Sequence, residues 1–198
     1  MIARRLFLAS TMVALGTWAF AAEKSESTLT IACTGTLGPI LGGSDPLGAN
    51  GHTGSMTVKI GESATPLETS GDSVIYGIPA GAITASLGES PFTTTSPGKM
   101  KITLTPSADI LTVVFYSQQN TITTFKAFLS PGSWPTSVYM TPLPFSPSPQ
   151  MLTGATVAAG PGSEVIYKYG ETTTILGLTG TASNSVAPAL PIPLADLQ

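Results

Sequence analysis

From residue 28 onward, apolar residues recur at every second position. In Thr28-Leu29-Thr30-Ile31-Ala32-Cys33, Leu29, Ile31 and Cys33 share one face, and Met56, Val58 and Ile60 do the same opposite Thr57 and Lys59. Val74, Tyr76 and Ile78 continue the pattern, followed by Ile83-Thr84-Ala85-Ser86-Leu87 and by Met100, Ile102 and Leu104 opposite Lys101, Thr103 and Thr105. A period of two places alternate side chains on opposite sides of a pleated strand, so each run predicts a strand with one buried and one wet face. The run Leu111 to Tyr116 is apolar on both faces apart from Thr112, which suits a strand inside a sheet.

Turn residues separate these runs at short intervals: Pro79-Ala80-Gly81, Ser96-Pro97-Gly98, Gln119-Asn120, Pro131-Gly132 and Gly170-Glu171. The last lies between Val165–Tyr169 and Thr172–Leu176 and predicts a two-residue hairpin with Gly first. Beyond the N-terminal segment no stretch carries capped helical periodicity. Some nine to twelve short strands are expected, in an all-β, antiparallel β-sandwich of immunoglobulin-like or jelly-roll-like type spanning 22–182.

Three stretches break the rhythm: the Gly-rich segment Gly42 to Gly54, the four prolines between Thr141 and Pro149, and the Pro-rich end 183–198, expected to be a disordered tail. The pieces align at no fixed period, so a tandem repeat is not expected.

Composition sharpens the picture. Thr is the most frequent residue, Gly numbers 21 and Pro 17, while charged residues make up only 10% of the 198. Thr, Gly and Pro all disfavour helix interiors. The first residues give an address: Arg4 and Arg5, then an uncharged apolar stretch from Leu6 to Phe20, then Ala19-Phe20-Ala21, the pattern of a signal peptide over 1–21. Such a chain is expected in the periplasm, on the cell surface or outside the cell, and off the membrane once cleaved. After cleavage six lysines face eleven acidic residues, with no basic run, so nucleic acid is not an expected partner. Protein or polysaccharide partners remain. In general character the chain resembles the secreted β-sandwich proteins of bacterial envelopes.

Candidate chemistry is sparse. Cys33 is the single cysteine, which excludes an internal disulfide, and its place in the alternation predicts burial. Gly71-Asp72-Ser73 resembles the opening of the GDSL-type esterases, but that family's base follows near the C-terminus, and no histidine follows His52 here. No G-x-S-x-G elbow or paired-histidine metal motif occurs, and no cofactor is expected. Asp45 and Asn50, in the Gly-rich segment, are weak candidate ligands for calcium, short of the anionic oxygens that ion favours. Scattered acids leave a glycoside hydrolase with a carboxylate pair as the enzymatic alternative. The candidate ligand-binding residues are aromatic: Trp134, Tyr139 and Tyr116, with Tyr167 and Tyr169 further along, because sugar faces stack on exposed rings. The leading expectation is a non-catalytic module with a structural or binding role, and carbohydrate binding is its specific alternative.

Overall fold

The computed structural model describes residues 28–61, 64–117, 121–133 and 157–187; the expected signal peptide lies outside them. Every described element is a strand: β1 (Thr28–Gly42), β2 (Thr53–Gly61), β3 (Pro66–Ser70), β4 (Ser73–Ile78), β5 (Ile83–Leu87) and β6 (Ser90–Thr93), then β7 (Gly98–Leu104), β8 (Asp109–Tyr116), β9 (Ile122–Leu129), β10 (Val157–Ala158), β11 (Glu164–Tyr169) and β12 (Thr172–Ala187). All pairings are antiparallel, and they join the strands into one sheet in the order β3-β4-β7-β8-β9-β11-β12-β1-β2-β5-β6, with β10 beside β12. The expected sandwich would divide its strands between two sheets; here the hydrogen bonding is continuous. β8 lies between β7 and β9, as its two apolar faces suggested. Tyr169 pairs with Thr172 across the Gly170-Glu171 turn, with Gly170 at a φ of 59°, as the hairpin requires. β12 runs on to Ala187, five residues past the expected boundary at 182, because Ser183–Ala187 pair with Ala32–Thr28.

Alternation builds the core. The inward residues of β1, β2, β4, β7, β8, β9, β11 and β12 belong to one buried apolar cluster that includes Leu29, Ile31, Met56, Tyr76, Phe115 and Phe125. Cys33 lies within it, and burial pushes its thiol up to about 12, so it stays protonated and unreactive at neutral pH. Leu104, at the end of β7, is only partly buried.

One core on one sheet requires the sheet to fold back on itself. Three glycines mark where it bends: Gly180 of β12 pairs with Gly35 of β1, and Gly35 pairs with Gly54 of β2. A Cβ on Gly35 would lie 2.6 Å from the Cα of Gly180, and one on Gly54 would lie 2.6 Å from Leu37 Cδ2. Removing side chains along one row lets three neighbouring strands approach and curve together, and Leu37 fills the space over Gly54. Beyond the row the two ends of the sheet meet. Ile83 of β5 packs on Gly98 of β7, where a Cβ would lie 2.6 Å from Ile83 Cδ1, and Thr94 forms a bridge with Ser117 just past β8.

Candidate functional site

Polar side chains gather inside the fold at the end covered by residues 43–52. On the inner face Phe115 lies opposite Thr123, Thr123 opposite Tyr167, and Tyr167 opposite Thr174. Tyr167, Thr123 and Thr174 have no exposed surface. The loop comes down onto this row. The Tyr167 hydroxyl donates to Asp45 Oδ1, Thr174 Oγ1 donates to the Ser44 carbonyl, and the Asn50 amide donates to Asp45 Oδ2 at 2.7 Å. The loop then rejoins β1 through Gly51 N to Leu37 O and Leu37 N to His52 O, both 2.8 Å.

Asp45 is the electrostatic centre of this clamp. Burial pushes its carboxyl up, but hydrogen bonds from Tyr167 and from the Asn50, Ala49 and Gly48 backbone outweigh burial, so it sits below the ordinary carboxylate range. Tyr167 is pushed up, first by burial and then by its bond to Asp45. Asp45 and Asn50, the candidate calcium ligands, are thus brought together. However, both carboxylate oxygens of Asp45 accept bonds from the protein itself, and the Asn50 side chain lies against Gly38. Among the described residues no group of three or more His, Cys, Asp or Glu is placed to hold a metal ion.

Beside the clamp, the Ser117, Thr121 and Thr123 hydroxyls are buried without a hydrogen-bond partner. Ser117 and Thr121 face each other through a backbone bond of 3.0 Å, and Thr123 follows Thr121 on the same face. An unsatisfied buried hydroxyl costs about 1–3 kcal/mol.

The aromatic candidates among the described residues separate. Tyr116 is 47% exposed on the outward face of β8, where Ile122 and then Lys168 continue its row across β9 and β11. Tyr169 is 42% exposed but lies on the inward side with Val165 and Tyr167, at the hairpin end of β11. Tyr116 and Tyr169 therefore form no shared platform. Trp134 and Tyr139 lie outside the described residues. In the esterase-like triplet, Ser73 is buried at the β3–β4 turn and its Oγ donates to the Ser70 carbonyl at 3.3 Å. Among the described residues, open clefts of about 390 Å3 beside Phe128, Pro131 and Gly160 and about 330 Å3 beside Ile60, Leu67 and Pro79 have no ionisable side chain in their linings.

The residues that sequence reasoning missed are lysines. Lys99 and Lys101 of β7, Lys126 of β9 and Lys168 of β11 all occupy outward positions on one stretch of sheet. The signal was present: Lys99, Lys101 and Lys126 alternate with buried neighbours and Lys168 follows buried Tyr167, and only the strand order was needed to place them on one stretch. Lys126 bonds Glu164 Oε1 at 3.3 Å and stands 4.9 Å over the Phe128 ring. No protein-family model, curated protein or solved structure matches the chain.

Two outcomes follow. Asp45 has a folded pKa below its unfolded one, so its contribution to stability is present above the unfolded value and is lost as pH falls through the folded one. The difference in melting temperature between wild type and Asp45→Asn is expected to be largest near neutral pH and to close in acid; a pH-independent difference contradicts the clamp. Thr123→Val removes an unpartnered hydroxyl at nearly constant shape and is expected to leave stability unchanged or raise it by about 1 kcal/mol in urea unfolding. A loss of more than that shows the hydroxyl to be bonded.

Proposed function

We propose that the chain is an exported, non-catalytic all-β module that acts by binding, with the outward face of β7, β8, β9 and β11 as its working surface. One observation carries this reading: Asp45, Cys33 and Ser73 are committed to architecture, while Lys99, Lys101 and Lys168 of that face are exposed. Asp45 clamps a loop, Cys33 lies in the core and Ser73 braces a turn. The open face is broad, regular and held by hydrogen bonds on both sides of each strand, the rigid support that a recognition surface needs.

Carbohydrate is the more specific reading, and the exposure of Tyr116 favours it. A half-exposed ring whose row continues through Ile122 to Lys168 offers a stacking surface with a donor on the same face. A protein partner on the same face is the competing occupant. A secreted glycosidase would instead need two carboxylates flanking a cleft.

Expression of the full chain in a bacterium, with fractionation and incubation on envelope glycan, tests this reading. The exported protein is expected to begin at Ala22 and to be retained by the envelope without releasing reducing ends. Cytoplasmic retention with Met1 intact, or release of reducing sugar, overturns it.

A further inference from the structure

The outward face has a charge pattern that selects among ligands. Lys101 lies opposite Thr112 and Thr112 opposite Lys126, so these two lysines stand two strands apart, roughly 10 Å. Lys99 lies two residues along β7, roughly 7 Å away, opposite Val114 and, beyond it, Thr124. Lys168 closes the far side beside Ile122. Lys99, Lys101 and Lys168 are exposed, and no described acid forms an ion pair with them. The acid on this stretch, Glu164, is engaged with Lys126. A chain of net charge −3 therefore presents three exposed lysines on one face, with Lys126 beside them held by Glu164, over a floor of Thr hydroxyls and aliphatic side chains.

We infer that this face binds an acidic polysaccharide of low charge density, a uronate polymer being the type, with carboxylates on the lysines and sugar hydroxyls on Thr112 and Thr124. The inference rests on the binding-module reading above and specifies its ligand. Three features favour a sparse polyanion. Lys99 and Lys101, both exposed on the same face of β7, stand roughly 7 Å apart, which suits separate carboxylates along a chain. The protein's own negative charge opposes a dense polyanion such as duplex DNA at long range, while local lysines hold isolated carboxylates. Finally, the described chain holds no arginine, the residue that grips phosphate in bidentate fashion, and Tyr116 supplies a ring at the border for a sugar face.

The test measures binding of the full exported chain to immobilised polygalacturonate, to the same polymer with its carboxyls reduced, and to duplex DNA. Binding to polygalacturonate is expected to weaken with added salt and to fall about tenfold in the combined Lys99→Gln, Lys101→Gln, Lys168→Gln variant, three exposed charge contacts being removed. Lys59→Gln, on the outward side of β2, is expected to change nothing. Melting curves establish that the surface variants are folded. Equal binding to the carboxyl-reduced polymer, or an equal loss in Lys59→Gln, overturns the charge inference and leaves a neutral-sugar module standing. Tighter binding to DNA than to polygalacturonate overturns it in favour of nucleic acid. No binding to any of the three by the folded protein also overturns it, and envelope retention then decides the broader reading separately.

Discussion

The pairing of β1 with β12 joins the whole sheet. On one side of this ladder lie β11, β9, β8, β7, β4 and β3; on the other lie β2, β5 and β6. Twelve registered positions, from Thr28 opposite Ala187 to Gly42 opposite Ile175, connect the two parts. They also bring the two ends of the described chain together, a contact of very large sequence separation that carries a heavy loop-closure cost. Burial offsets that cost: Leu29, Ile31, Leu37, Leu176 and Ala182 along the ladder are almost wholly removed from water. The glycine row crosses the same ladder, so the element that joins the two parts is also where they bend toward each other.

Two different surfaces follow from this geometry. Folding the sheet inward leaves an open end to the core, and the loop held by Asp45, Tyr167 and Thr174 covers it with polar contacts. Buried polar groups of this kind are specific because each demands its partner. The outward side of β7 to β11 carries no such closure. Its lysines stand on a floor fixed by strand register, and their spacing is a property of the sheet rather than of flexible loops. The clamp is thus an architectural device, and the lysine face is where we propose recognition.

Much of the core was legible because burial on one face of a strand imposes a period of two. Leu29, Ile31, Cys33, Met56, Val58, Ile60, Val74, Tyr76, Met100 and Ile102 all point inward as the alternation required. Strand order was not legible, since pairing partners far apart in sequence leave no local signature. Gly35, Gly54 and Gly180 are unremarkable until register sets them side by side. Among the described aromatics, Tyr116 and Tyr169 do not converge, for a related reason. Phe115 and Tyr116 are both large and apolar, so the pattern in β8 does not say which turns inward, and the core takes Phe115. Asp45 and Asn50 did come together, but a Gly-rich sequence cannot reveal that a tyrosine from β11 will occupy the carboxylate.

Hydrogen exchange along the chain tests the central role of the β1–β12 ladder most directly. If the ladder joins the two parts, the amides of Ile31, Cys33, Leu176 and Leu178 exchange as slowly as those of β8 and β9, and all open only with global unfolding. If the ladder opens while β8 and β9 remain protected, the two parts are independently stable and the account is wrong.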